Sequence, residues 1–395
     1  MKPVSEHEIR LFRLHRHRLD ARPDTVDVLE AAGACGLQNS PPGAWETALF
    51  NRAPGCSLED MDRLLYQDKT LLQAWSLRGA PYVFPAAQSG AFLSSLIPRD
   101  GEEWVYTKGI GPALCFLGMG FDELLEGLVS VIPVLDQQTV SGKAALDSLL
   151  AGAMLPLIPA LKRGLWNSPS MYGRPEAQTV GGAAVSFLLR PCALMGLVVF
   201  ARREGQSPCF TSFKSWTGRE IERRADSSAA LVRMYLRSFG PAEPGGFAAW
   251  LGCSGEQARR MWAEAEDRMI PVSSGGRTAF ILAEDKPLLS DPPAPRRDWL
   301  LLGPHDPYLD QRDREVILPE KALQRKLWRT AANPGAVIFR GEVCGMWTAR
   351  IRAKGLEAEA ELWKTPPGAR ERIGELAEGY AAFRHQKLIG LRLMQ

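Results

Sequence analysis

No CxxC pair occurs anywhere in the 395 residues. The seven cysteines, at 35, 56, 115, 192, 209, 253 and 344, are scattered and odd in number. That argues against a zinc-ribbon ligand set and a closed disulfide framework, and predicts separate buried thiols in a reducing compartment. Long apolar runs are missing as well. The most apolar region, 144–165, is broken by Pro156 and Pro159 and flanked by Lys143 and Lys162-Arg163, too interrupted for a membrane span. The opening MKPVSEHEIRLFRLHRHRLD lacks the apolar centre of a secretory signal. A cytoplasmic protein without membrane association is the expectation. Nor is there a strong excess of either charge: 48 Lys+Arg against 45 Asp+Glu give a net +3 and a pI of about 8.4. Net charge therefore does not identify a nucleic-acid binder, and any DNA contact requires positive charge sorted onto one surface. What is present is ordinary for a globular chain, with 45% hydrophobic and 24% charged residues, and the length predicts two to four domains.

Apolar spacing predicts an amphipathic helix over 6–20 with Ile9, Phe12 and Leu19 inward, then helices over 42–53 and 57–66, the latter with Ser57 as N-cap and Asp60 at its third position. Strands follow at 71–77 and 82–84. Helix then strand recurs from Gly120: FDELLEGLVSVI, a helix capped by Ser141, a long helix in EAQTVGGAAVSFLLR, and strands in LVVFARREG and SPCFTSF. A third round is clearest. DSSAALVRMYLRSFG and EPGGFAAWLG read as helices, SGEQARRMWAEAEDR opens on a Ser254/Gln257 capping box, and MIPV-SSGG-RTAFILA reads as strand, turn, strand. Three helices and a β-hairpin make a winged helix-turn-helix. The proline-rich 286–298 reads as a linker, and the alternation in AVIFRGEVCGMW, TARIRAKG and LEAEAELW predicts an antiparallel meander before a closing helix.

The expected fold is thus α+β: three tandem winged-helix units at 1–117, 118–222 and 223–290, with a C-terminal β meander or small barrel at 291–395. Each winged helix offers a helix N-terminus and a hairpin that can hold phosphates, although such modules also serve protein–protein contacts.

Four segments taken in order resemble a known family: GLQNS at 36–40; WSLRGAPY at 75–82; LVRMYL at 231–236 with FGP at 239–241 and FAAWLG at 247–252; and LLGPHDPY at 301–308 with Asp313-Arg314 and GEVCGMW at 341–347. Together they look like the AlkZ-like winged-helix DNA glycosylases. The resemblance spans most of the chain and is weakest over 118–215. It implies a monomeric protein that wraps double-stranded DNA carrying alkylated bases. The implied reaction is excision of N-alkylated purines, in some members unhooking of interstrand crosslinks, with no metal or cofactor. The family's catalytic motif is Gln, an aliphatic residue, then Gln or Asp. Gln38 matches its first position, Asn39 stands for the aliphatic residue and Ser40 for the second amide or acid. In the arginine–glycine motif, Ala80 stands for a family Thr and Tyr82 for the His.

Gln38, Asn39 and Ser40 are accordingly the catalytic candidates. They are three neutral polar groups on a turn stiffened by Pro41-Pro42, and a plain capped loop is the other reading of that turn. Neutral groups suit a cationic purine, which leaves without a general acid, and a serine can hold a water but not readily take its proton. Arg52, Arg78, Tyr82, Lys108 and Arg277 are the DNA-contact candidates. His305-Asp306 reads as a structural turn before Pro307, and the mixed charges around Arg259 and Arg260 argue against 254–268 as the main DNA reader. The rival reading is a non-catalytic DNA binder, a regulator or lesion sensor.

Overall fold

The computed structural model describes residues 3–21, 27–173, 178–222 and 224–394. The chain is a mixed α+β protein whose sheets are built mainly from antiparallel pairs. It divides into two compact units. One comprises residues 1–64, 229–250 and 261–395; the other comprises 65–228 and 251–260.

The first unit begins with the helix Glu6–Arg16. Ser5 and Glu8 form a reciprocal capping box, with acidic residues in the first turn and basic ones in the last. Ile9 and Phe12 are buried as the spacing predicts, but the helix ends at Arg16. Leu19 is buried from the loop beyond, after a left-handed turn at Arg18 (φ 56°). Arg13 on this helix is 1% exposed. Its guanidinium donates to the Gly240 and Pro241 carbonyls, the Gln311 amide oxygen and both Asp313 carboxylate oxygens at 2.7–3.1 Å. A buried cation is tolerable only when its donors are matched in this way.

A five-stranded sheet dominates this unit. Strands Trp299–Leu302, Gly335–Phe339, Glu342–Arg352 and Gly355–Leu362 pair antiparallel in sequence order. Leu388–Met394 then adds parallel to Gly355–Leu362, which requires a crossover. The helix Ala369–Phe383 supplies it. Side chains alternate across the sheet: Leu300, Leu302, Ala336 and Ile338 join a core with Phe12, Tyr308 and Leu318. Trp299, Leu301 and Val337 join a second core with Trp347, Ile373, Ala377 and Ala381. Strands Met269–Ser274 and Arg277–Leu282 form a separate hairpin closed by Gly275 and Gly276, both left-handed (φ 56° and 76°), as a two-residue turn demands. The stretch 286–298 is not wholly a linker: Lys286–Ser290 is helical and Leu289 is buried.

The second unit packs the helices Phe121–Val131, Lys143–Met154 and Val180–Leu194 around Leu128, Leu146, Leu150, Val185 and Leu188. The hairpin Val199–Glu204/Ser207–Thr211 and the pair Leu71–Trp75/Pro81–Pro85 complete it, with Trp75 stacked on Phe210 at 5.3 Å. Ser141 does not cap the second helix. It pairs with Cys209 in a short strand, and Gly142 (φ 88°) turns the chain into the helix. Gln257 likewise departs from the expected reciprocal cap. Its backbone N–H donates to Ser254 Oγ at 3.1 Å, but its side-chain amide donates to the Leu96 carbonyl at 3.0 Å, a tertiary partner that sequence spacing does not reveal. Among the described residues no helix is long and apolar enough to cross a membrane.

Candidate active site

The GLQNS turn lies between the helix Val28–Gly33, capped by Asp27, and the helix Ala44–Arg52. Gly36 (φ 71°) redirects the chain into the short extended segment Leu37–Gln38, and Gly43 (φ 88°) starts the next helix. Both adopt backbone that side chains disfavour. The Ser40–Pro41 peptide bond is cis, and Pro41 and Pro42 are exposed. Asn39 Oδ1 accepts the Gly43 N–H at 2.7 Å, so this side chain closes the turn. Gln38 Nε2 points toward the Ser40 carbonyl at 3.4 Å. Gln38 and Asn39 keep 8% and 9% of their surface, while Ser40 is half-buried. The capped-loop reading thus holds for Asn39, while Gln38 is buried beside it and Ser40 is half-buried.

The helix behind the turn is rigidly seated. Asn51 Nδ2 donates to the Leu301 carbonyl at 3.0 Å, and Arg297 donates to the Asn51 carbonyl at 2.9 Å. Arg52 is 2% exposed and meets Asp306 in a two-pronged pair at 2.9 and 2.7 Å, also donating to the Ala48 carbonyl. Burial disfavours its charge, but Asp306 outweighs that and raises the guanidinium pKa. Glu46, a carboxylate in the first turn of this helix, is paired with Arg384. A cavity of about 300 Å³ adjoins the double proline, lined by Pro41, Pro42, Thr47, Gly303, Trp347 and Tyr380. Beneath the turn, Cys35 is buried and its thiol is pushed up to about 12, which leaves it inert.

The remaining candidates sit in contrasting surroundings. Tyr82 is 2% exposed, with its hydroxyl accepting from Arg78 Nη2 at 2.5 Å, so it is a core aromatic rather than a surface group open to DNA. Arg52 is likewise engaged inside the protein, in the role of a fold support rather than a phosphate contact. Lys108 is open to solvent beside Glu103 at 3.3 Å. Arg277 is exposed just after the hairpin turn. Asp306 accepts from Arg52 and from the Tyr308 N–H, in keeping with a structural turn. One cationic surface escapes the motif reading: strands Glu342–Arg352 and Gly355–Leu362 meet at an exposed tip carrying Arg350, Ile351, Arg352 and Lys354, with Ile351 56% exposed. The charge run RIRAK is the signal that marks it in the sequence. Among the described residues no group of three or more His, Cys, Asp or Glu is placed to hold a metal ion.

A family model for the AlkZ-like DNA glycosylases matches residues 31–383, from just before the turn to the end of the crossover helix. The chain belongs to the AlkZ-like DNA glycosylase family. The solved structure of Streptomyces sahachiroi DNA glycosylase AlkZ is similar to it in fold, with a TM-score of 0.75, 22% sequence identity, and coverage of 99% of this chain and 100% of that one. No curated protein sequence matches the chain.

Proposed function

We propose that this AlkZ-like protein hydrolyses the N-glycosidic bond of cationic N-alkylated purines in double-stranded DNA, including purines tethered in interstrand crosslinks. The family match across the GLQNS turn carries this reading. An N7- or N3-alkylated purine is already positively charged, so its departure needs no proton donor. What accelerates it is a fixed dipole that favours the oxocarbenium-like transition state and holds the attacking water. Gln38 is the group proposed for both tasks, and the Ser40 hydroxyl for the water. Asn39 acts through the turn, holding the backbone from which Gln38 projects. The proposed reaction uses no metal or cofactor.

We read the helix-helix-helix-hairpin order of 227–282 as a winged helix, repeated in the two preceding segments, acting as a monomer on a duplex. Arg78, Lys108, Arg277 and the Arg350–Lys354 tip are the proposed phosphate contacts. With no carboxylate in the motif, neutral lesions lack the general-base assistance, worth about 10²–10⁴-fold, that they would need. Efficient release of uracil by the purified protein would contradict this reading. The direct test is base release from a duplex carrying N7-methylguanine. Gln38→Ala is expected to lower the rate roughly 10²–10³-fold, and equal release by both proteins removes Gln38 from the mechanism. The 8% exposure of Gln38 and the serine at position 40 favour, as second reading, a lesion sensor without chemistry. In that case the same assay yields no abasic product while the duplex is bound.

A further inference from the structure

A second cavity lies wholly within the 65–228/251–260 unit. It measures about 450 Å³, and its walls include the rings of Trp104, Tyr106 and Phe187 together with Arg78 and Lys108. Three glycines admit these side chains. A Cβ on Gly79 would lie 2.5 Å from Tyr106 Cβ, one on Gly109 would lie 2.6 Å from the Phe187 ring, and one on Gly252 would lie 2.9 Å from Arg78 Cγ. Tyr106 (φ 63°) and Arg78 (φ 54°) both adopt left-handed backbone, unusual for bulky side chains and costly unless the surroundings enforce it. Tyr106 nevertheless remains 56% exposed, and the Arg190 guanidinium lies 5.3 Å from its ring centroid. A large aromatic is thus held in a strained pose at the mouth of a cavity, backed by a guanidinium, instead of folding into the core.

We infer that this cavity receives one unpaired nucleotide of a DNA strand, its base stacked on Tyr106 and Trp104 and its phosphate drawn to Arg78 and Lys108. Aromatic faces and cations at one opening match a base and its phosphate, and stacking is tolerant of base identity. Lys108 is available because an exposed pair with Glu103 contributes little and can exchange for a phosphate. The inference rests on the DNA-binding reading above, and deepens it by naming the structural state of DNA the unit retains: a duplex with an extrahelical nucleotide.

The test uses the full chain, with fluorescence anisotropy on a fully paired duplex and on the same duplex bearing one extrahelical 2-aminopurine. Wild type is expected to prefer the second and to quench its fluorescence. Tyr106→Ala is expected to weaken that binding roughly 5- to 100-fold, with paired-duplex binding and the thermal midpoint little changed, while Tyr106→Phe retains it. Unchanged affinity in Tyr106→Ala overturns the inference, as does an equal loss in Tyr106→Phe. So does displacement of the duplex by micromolar free dAMP, which would make the cavity a mononucleotide site. Base release from N7-methylguanine DNA is measured alongside. If no base is released but the preference persists and depends on Tyr106, the enzymatic reading fails and the stacking site stands.

Discussion

Arg52 and Arg277 carry the same charge in opposite surroundings, and the contrast is measurable. Arg52 is buried against Asp306, whereas Arg277 stands in solvent at the hairpin turn. Removing one partner of a buried pair strands the other, so Arg52→Ala should cost about 3–5 kcal/mol in denaturant unfolding. In the folded fraction it should leave the salt dependence of DNA binding unaltered. Arg277→Ala should leave stability within about 0.5 kcal/mol and, on the proposed reading, reduce the slope of log K against log salt by about 1. Sequence alone gives both residues the same standing, because a cation's partner can lie, as Asp306 does, some 250 positions away. The turn itself divides in the same manner. Spacing marks Gln38, Asn39 and Ser40 as a cluster, but only the folded turn assigns the Asn39 oxygen to the Gly43 N–H.

Elements with alternating or helical periodicity are legible in the sequence itself. The helix at 44–52, the Ser57 capping box, the 269–282 hairpin and the strands within 335–362 all carry local signals strong enough to survive packing. Two strands of the five-stranded sheet are not legible in this way. WLLL at 299–302 is buried on both faces, so it has no alternation to read. Leu388–Met394 follows a helix and pairs in parallel, which a meander does not anticipate. The hairpin turn gives a clean check on how local these signals are. Nothing lies within 4 Å of a Cβ added to Gly276, so Gly276→Ala meets only backbone strain at φ 76°. A cost of roughly 1–2 kcal/mol is expected, read as a lowered unfolding midpoint in denaturant. An unchanged midpoint would mean that the turn relaxes to another type.

Stability of the whole protein should fall with acid through a buried histidine within reach of the Arg52 charge. His17 is buried between Phe239 and Tyr308, with Nε2 at 3.1 Å from the Ser238 carbonyl. Burial, reinforced by the Arg52 charge, holds its pKa well below 6.5. The unfolded chain takes up this proton near pH 6.5 and the folded chain does not. The contribution is therefore complete above about pH 7 and is lost as pH drops below about 6.5, by up to about 1.4 kcal/mol per pH unit. His17→Gln should flatten unfolding free energy between pH 7 and 5, and an unaltered slope would assign the acid sensitivity elsewhere. The division of the chain has another outcome, felt while it is being made. Residues 65–228 hold one entire core in an uninterrupted stretch, whereas Ile9, Phe12 and Leu14 share theirs with Leu300, Leu302 and Ile338. A nascent polypeptide can thus bury this middle core early, with only 251–260 still to be added to its unit, while the oily face of its first helix waits through most of translation for the strands that will cover it, the interval in which a chaperone would be needed most.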